Sequence, residues 1–392
     1  MLAIVIRVTT SFEFSTASRL VFGRGAGAQL PALCKDLGDR VLIVTGARKT
    51  SADWLLQSLG NAGMVAETFS IPGEPTLDDA RRGADTARSM NADVVVGLGG
   101  GSAMDGGKAI AALARQPQDV LHYLEVVGQG KPLDEMPLPY IAVPTTAGTG
   151  AEVTRNAVLA SPGHGVKASL RHVSMLPRIA LVDPGLAVSC PPAITAASGM
   201  DALTQCLEAF VSCRAQPMTD ALCGDGIRRA VRSLETAVQD GSDLDAREDM
   251  ALAALFSGMA LANAGLGAVH GFAAPIGGQF HAPHGAVCAV LLAPVWAANW
   301  TAVKAIGTEA QRQRFRRAAE WLTGRADAQA EDALPVLRGL AERLQIPALS
   351  TYGIQESDLA EIAAKAAKAS SMKGNPVPLS EETLTAILQE AL

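Results

Sequence analysis

Short apolar runs alternate with helix-length segments through the first half of this 392-residue chain, and this alternation restricts the possible fold more than any other feature. Arg40-Val-Leu-Ile-Val-Thr45 and Asp93-Val-Val-Val-Gly-Leu98 are almost continuously apolar, as expected of parallel strands covered on both faces. A helical pattern follows each run, and similar strands are predicted at 65–69, 137–144 and 179–183. The pattern predicts an α/β fold with a doubly wound parallel sheet.

The two flanks of this region have a different texture. Between Phe12 and Phe22 apolar residues alternate loosely, which predicts a short strand pair ahead of a helix. Past Pro192, long Ala- and Leu-rich segments with helical spacing dominate, and β-branched runs nearly vanish. We therefore expect two domains, a nucleotide-binding α/β domain at 1–187 and an all-α metal and substrate domain at 188–392.

Composition narrows the range of partners. The net charge of −6 offers no basic surface for nucleic acid or for an acidic membrane. No stretch reaches the roughly 18 uninterrupted apolar residues of a membrane helix, and the apolar run at the N-terminus is too short for a signal peptide. The six cysteines contain no CxxC pair, which predicts reduced and mostly buried thiols. A cytoplasmic protein acting on a small molecule is expected.

A glycine-rich turn, Gly99-Gly-Gly-Ser102, follows the strand at 93–98 and opens a helix. Backbone N–H groups and the helix dipole converge on an anion at such a turn, and glycines let the backbone approach a pyrophosphate closely. Ser102 departs from the strict dinucleotide fingerprint, so a glycine-rich turn without a ligand is the alternative. The loop after another strand adds hydroxyl donors at the same ligand-binding edge of the sheet, from Thr145, Thr146 and Thr149.

A second set of side chains has the chemistry of a metal site. Asp201 and Gln205 lie four residues apart, so on a helix they share one face and their oxygens could hold one cation. His270 and His284 could complete the shell, and imidazole with carboxylate suits iron(II) or zinc. Ser198-x-x-Asp201 also resembles a capping box, which would instead assign Asp201 to a helix start.

Taken together, these motifs resemble the iron-containing (group III) alcohol dehydrogenases, with maleylacetate reductases as near relatives. The motifs follow one another over most of the chain: Gly99-Gly-Gly-Ser-Ala-Met-Asp105, Pro144-Thr-Thr-Ala-Gly-Thr-Gly-Ala-Glu152, Asp183-Pro, Gly199-Met-Asp-Ala-Leu-Thr and Pro283-His-Gly285. The resemblance implies a nucleotide-binding domain, a helical domain and a cleft between them, in which hydride passes between NAD(P)H and a carbonyl or alcohol. It also implies a homodimer.

The resemblance assigns roles to individual residues. The pyrophosphate would be held by Gly99, Gly100, Gly101 and Ser102. The nicotinamide side would be lined by Asp105, Thr145 and Thr146, and a cofactor-contacting lysine falls at Lys167. Three of the family's four metal ligands are matched by Asp201, His270 and His284.

Two positions depart from the family pattern. Gln205 stands where a histidine ligand is usual, and an amide oxygen is a weaker ligand than imidazole for these metals. Ala274 stands where many members carry a histidine near the reacting carbonyl, so protons would come from water or from the cofactor ribose. His281 is a candidate catalytic contact or proton relay, with a polar loop residue as the alternative.

Coenzyme choice turns on the residue after the strand at 40–45. NAD-preferring members have an aspartate there that binds the ribose hydroxyls and repels a 2′-phosphate, whereas this chain has Gly46 followed by Arg48 and Lys49. Loss of the negative charge and gain of two cations predict that NADP is favoured, with NAD also accepted. In the alternative interpretation the two cations only solvate a helix start.

The leading hypothesis is therefore an NAD(P)-dependent oxidoreductase that interconverts an alcohol with an aldehyde or ketone by metal-assisted hydride transfer. A metal-independent oxo-acid reductase similar to maleylacetate reductases is the second hypothesis, with His270, His281 and His284 as hydrogen-bond donors. A lyase or a nucleotide-binding protein of the same fold, without redox turnover, is the third.

Overall fold

The computed structural model describes residues 11–48 and 52–392; Lys49 and the apolar N-terminal run lie outside the described residues. A parallel sheet has the strand order β1-β8-β5-β4-β2-β3, and β6 pairs with β7 as a separate antiparallel hairpin. The strands are β1 (Arg19–Phe22), β2 (Arg40–Thr45), β3 (Val65–Ser70), β4 (Val94–Gly99), β5 (Tyr140–Pro144), β6 (Asn156–Ser161), β7 (Val166–Arg171) and β8 (Ile179–Val182). The predicted doubly wound parallel sheet is confirmed.

The helices divide into five that alternate with the strands of the first half and nine that follow β8 and form the second half of the described chain. The first set is α1 (Leu30–Lys35), α2 (Asp53–Asn61), α3 (Leu77–Ser89), α4 (Gly101–Leu113) and α5 (Val120–Tyr123). The second set is α6 (Pro192–Val211), α7 (Pro217–Gln239), α8 (Leu244–Ala264), α9 (Ala268–Phe280), α10 (His284–Ile306), α11 (Glu309–Thr323), α12 (Ala333–Arg343), α13 (Leu359–Ala367) and α14 (Glu381–Ala391). The predicted helical second half is confirmed, while the boundary at 187 stays a prediction.

The centre of the sheet is buried on both faces, as its continuous apolar sequence requires. Every residue of β4 and β5 is buried, whereas the edge strands β1 and β3 are mostly exposed or half-buried. The central strands are parallel and in register, from Val95 against Tyr140 to Gly99 against Pro144. Their carboxyl ends therefore deliver the glycine turn and the loop after β5 to the same edge.

One local prediction fails in the α/β half, and one element was not predicted. The predicted strand pair between Phe12 and Phe22 is wrong, because among residues 11–22 a single strand, β1, forms and it joins the sheet edge beside β8. The β6–β7 hairpin has no counterpart in the sequence analysis, although its turn carries a Pro162-Gly163 signal. Asn156–Ser161 and Val166–Arg171 mix small, polar and apolar residues, so their alternation is weak.

Helix α6 runs through the middle of the helical half. It starts at Pro192 and is buried over most of its length, so Asp201 lies about two and a half turns inside it. The capping-box interpretation of Ser198 and Asp201 is therefore wrong. Helix α10 is long and apolar enough to cross a membrane, but 72% of its most apolar window is buried inside the protein, as in a core helix.

Candidate functional site

The glycine turn forms the uncapped start of α4. Gly100 is the N-cap residue, and no side chain bonds to the free N–H groups there. A Cβ on Gly99 would lie 3.4 Å from the nitrogen of Gly46, and a Cβ on Gly100 would lie 3.3 Å from the Oγ1 of Thr146. On Gly101 it would lie 3.7 Å from the hydroxyl of Thr149. The fold thus gathers predicted cofactor residues from three loops around one helix N-terminus.

Three further predicted cofactor residues have partners of their own. The N–H of Thr145 donates to the carbonyl of Gly99 at 2.9 Å, which ties the two loops together. Asp105 accepts from the N–H of Val158 at 3.0 Å, so this carboxylate also anchors the β6–β7 hairpin. Lys167 pairs with Glu74 at 2.5 Å and reaches from β7 towards α9, where its Nζ lies 2.8 Å from a Cβ built on Gly277. Their contacts to a cofactor stay predictions.

Four potential metal-binding side chains converge between α6, α9 and α10. They are Asp201, His270, His284 and Cys288, whose ligand atoms all lie within 4.8 Å of one another. The Oδ1 atom of Asp201 is 3.3 Å from Nε2 of His270 and 3.6 Å from Nε2 of His284. The sulfur of Cys288 is 3.7 Å from each of the same two nitrogens. The structure therefore brings together three of the predicted ligands and adds a thiol.

The acidic and basic side chains of the cluster shift one another's pKa. Asp201 is 1% exposed, yet its Oδ1 accepts no hydrogen bond. Burial alone would raise the pKa of Asp201, but His284 and His270 outweigh it and hold that pKa below its usual value. Burial alone would lower the pKa of His270, but Cys288 and Asp201 outweigh it, and this pKa lies well above its usual value. A buried carboxylate oxygen that faces the Nε2 atoms of two imidazoles occupies the position of a ligand to a cation.

Glu208 fixes the orientation of His270. One carboxylate oxygen lies 2.7 Å from Nδ1 of His270, and the other accepts the N–H of Val269 at 2.7 Å. The proton on Nδ1 leaves Nε2, which faces Asp201, free to coordinate. Glu208 lies seven residues after Asp201, so it occupies the same face of α6 two turns later.

Gln205 lies beside Asp201, and both atoms of its amide group already have neighbours. Its Nε2 is 3.3 Å from Oδ2 of Asp201, and its Oε1 is 3.0 Å from the hydroxyl of Ser257 on α8. The same hydroxyl lies 3.3 Å from the carbonyl of Gly148, in the loop after β5. The hydroxyl carries one hydrogen and its nearest acceptor is the carbonyl of Ala254 at 2.8 Å, so Ser257 lies between the predicted metal residues and the predicted cofactor loop without donating to both. The role of Gln205 as a ligand stays a prediction.

The remaining histidine prediction lies at the rim of the site. His281 is exposed and ends α9 with a left-handed backbone (φ 54°), outside the four-residue cluster. Ala274, one turn after His270, is also exposed, so solvent reaches the position that a proton-relaying histidine occupies in the family pattern. The catalytic role of His281 stays a prediction.

Three of these functional positions escaped the sequence analysis. Cys288 follows His284 by four residues and therefore shares its helix face, a spacing that could have identified it. Glu208 had a comparable signal in its seven-residue spacing from Asp201. Ser257 had none, because its contact with Gln205 depends on how α8 packs against α6.

Comparison with known proteins agrees with this arrangement. The iron-containing alcohol dehydrogenase model matches residues 17–184, and the C-terminal model of the Fe-containing alcohol dehydrogenase family matches residues 195–392. The chain is 40% identical to long-chain-alcohol dehydrogenase 1 of Geobacillus thermodenitrificans over 71% of this chain and 72% of that protein. It is 35% identical to 1,3-propanediol dehydrogenase of Klebsiella pneumoniae over 97% of this chain and 98% of that protein.

Solved structures show the same likeness in three dimensions. A crystal structure of 1,3-propanediol oxidoreductase superposes with a TM-score of 0.88 at 35% identity, covering 97% of this chain and all of that one. Both halves of the chain, with the glycine turn in one and the Asp-His-His cluster in the other, are thus accounted for by one family. The chain belongs to the iron-containing alcohol dehydrogenases.

Proposed function

We propose that this protein is an NAD(P)-dependent alcohol dehydrogenase that interconverts a small alcohol and its aldehyde or ketone with the help of a divalent metal. Membership of the family supports the activity, and the buried, unpartnered Oδ1 of Asp201 beside two imidazoles is the observation that carries the metal. The coenzyme pyrophosphate binds at the start of α4, where uncapped N–H groups and the helix dipole favour an anion.

The residues of the metal cluster fit a divalent ion. Asp201 supplies an anionic oxygen, while His270 and His284 present nitrogen atoms to the same point. When bound, the ion supplies Lewis-acid polarisation of the carbonyl and stabilises the charge that develops on its oxygen. Glu208 holds His270 in the tautomer that leaves Nε2 free.

Ser257 lies where the two halves of the proposed site meet. Its hydroxyl lies between Gln205 beside the metal cluster and Gly148 on the cofactor loop, at 3.0 and 3.3 Å. A coenzyme seated on that loop would therefore have its reactive ring held close to the metal ligands, which is the positioning that hydride transfer requires. Protons would come from water at the exposed Ala274 position or from the coenzyme ribose.

NADP is the proposed preference, with NAD also accepted. Gly46 lies directly after β2 and beside Gly99, so it stands near the coenzyme with no carboxylate to repel a 2′-phosphate. Arg48 adds a positive charge two residues later. We place the enzyme in the cytoplasm as a homodimer; analytical ultracentrifugation would check the dimer.

The test is NADPH and NADH oxidation over a panel of aldehydes, ketones and oxo-acids, with protein stripped by chelator and reloaded with iron(II) or zinc. Activity restored by metal, and lost together with metal content in His270→Ala, is expected. His122→Ala is the matched control, because His122 lies on α5 in the α/β half, where its ring packs edge-on against Tyr123. If His270→Ala kept both turnover and metal, the proposed site would be wrong. Activity on oxo-acids that is indifferent to metal would favour the metal-independent reductase.

A further inference from the structure

Cys288 lies in the metal cluster and can supply the fourth ligand atom that Gln205 does not supply. Its sulfur is buried, 3.7 Å from Nε2 of His270 and 3.7 Å from Nε2 of His284, one turn along α10 from the latter. Its neighbour Asp201 has a buried oxygen without a hydrogen bond. A thiol beside two imidazole nitrogens and an unpartnered carboxylate oxygen is a ligand arrangement.

Four of the six separations between these ligand atoms are close to those of a tetrahedron around one ion, and the other two are within 4.8 Å. Zinc bonds of about 2.0 Å to nitrogen or oxygen and about 2.3 Å to sulfur place neighbouring ligand atoms roughly 3.3–3.6 Å apart in a tetrahedral site. The four measured edges, two from Oδ1 of Asp201 and two from the sulfur of Cys288, are 3.3, 3.6, 3.7 and 3.7 Å. These separations are compatible with one ion bound by all four side chains.

Gln205 is already engaged in a different role. Its Nε2 faces Oδ2 of Asp201 at 3.3 Å, the orientation that avoids an amide oxygen against a carboxylate oxygen. Its Oε1 faces the hydroxyl of Ser257 at 3.0 Å. Turning that oxygen towards an ion would give up both contacts. Gln205 thus orients Asp201 from the side, as a positioning residue.

The charge and the softness of the ligand atom also favour Cys288 over Gln205. A carboxylate and a thiolate together neutralise a divalent ion in this buried pocket, whereas an amide in place of the thiolate would leave an excess positive charge. Thiolate is a soft ligand that favours zinc over the harder iron(II) site of an oxygen and imidazole set. Coordination deprotonates the thiol.

We infer that Cys288, and not Gln205, is the fourth protein ligand, so that this chain carries an Asp-His-His-Cys site suited to zinc, which the carbonyl oxygen would join as a fifth ligand during turnover. The inference rests on the metal-assisted function proposed above and specifies its ligand set and its metal. It also explains how the chain can dispense with the histidine that the family pattern has at position 205.

Cobalt(II) provides the direct test, because a cobalt–thiolate bond gives a near-ultraviolet charge-transfer band that oxygen and nitrogen ligands do not give. Chelator-stripped protein loaded with cobalt should show this band together with tetrahedral visible absorption, at one ion per chain. The band should vanish in Cys288→Ser and Cys288→Ala and persist in Gln205→Ala. Cys34→Ala, which removes a buried thiol of the α/β half, is the matched control.

Zinc affinity, measured by competition with a chromophoric chelator, is the second readout. Removal of the thiolate should lower the affinity for zinc by at least about tenfold and reduce the ratio of zinc affinity to iron(II) affinity. A wild-type cobalt spectrum without the charge-transfer band, or one that Cys288→Ser leaves unchanged, would overturn the inference while leaving metal-dependent activity intact. Wild-type turnover that needs no metal would instead refute the proposed function, and the ligand set with it.

Discussion

Glu208 accepts a hydrogen bond from Nδ1 of His270 at 2.7 Å, and both residues are buried. The carboxylate fixes the ring of His270 and raises the basicity of the nitrogen that faces Asp201. Glu208→Gln keeps the shape but removes the charge. We expect the substitution to lower the affinity for zinc by about 10–100-fold, measured by chelator competition, with a smaller loss of turnover at saturating metal.

The matched control is Glu235→Gln, which removes a carboxylate that pairs with Arg343 at the surface. It should leave metal affinity unchanged, because surface ion pairs contribute about 0–1 kcal/mol and act locally. Equal metal affinities in the two variants and the wild type would show that Glu208 does not support the site. Circular dichroism and thermal melting would separate loss of metal from loss of fold.

Gly46 provides a clean test of coenzyme preference. A Cβ added there meets no atom of the described residues within 4 Å, so the first atom of a new side chain fits there. Gly46→Asp should lower kcat/KM for NADPH by at least about tenfold, since like charges at close quarters cost several kcal/mol, and should leave or improve the value for NADH. Gly46→Asn has the same shape without the charge and should shift the preference far less. An unchanged NADPH-to-NADH ratio in Gly46→Asp would place the 2′-phosphate elsewhere.

The backbone of Gly150, in the loop after β5, lies close to the backbone of Gly258 on α8. The backbone of Gly150 is left-handed (φ 61°), and a Cβ there would lie 2.4 Å from the Cα of Gly258 on α8. Gly130 has the same conformation (φ 60°) but open space around it. Gly130→Ala should cost about 1 kcal/mol of unfolding free energy, and Gly150→Ala about 1–3 kcal/mol more, because the loop must move away from α8.

Activity separates the two glycine variants further. Displacing the loop at Gly150 also disturbs Gly148, which meets the hydroxyl of Ser257 beside Gln205. Gly150→Ala should therefore raise KM for the coenzyme, while Gly130→Ala leaves it unchanged. Equal effects of the two substitutions on denaturant midpoints and on KM would mean that the close approach to Gly258 has no importance.

Most of the fold followed from local pattern, whereas the site followed only in part. The strands at 40–45 and 94–99 are nearly continuous apolar runs, and α7 and α11 are clearly amphipathic, so their sequences specify them. The β6–β7 hairpin has neither. Asp201, His270 and His284 stand in recognisable motifs, but the engagement of Gln205 with Ser257 depends on the packing of α6 against α8, which no local pattern records.

Proton competition should give the metal-free and metal-loaded proteins opposite pH responses. Cys288 and the carboxylate of Asp201 raise the pKa of His284 to about 9 against the opposing effect of burial. In metal-free protein this favourable protonation contributes stability that is complete below the ordinary pKa of 6.5 and is lost as the pH rises through about 9. Zinc must displace that proton, so its apparent affinity should rise with pH over the same interval. Thermal melting from pH 6 to pH 9 should therefore show falling stability without zinc and a growing stabilisation by zinc. Parallel curves would mean that zinc binds without displacing protons from the cluster.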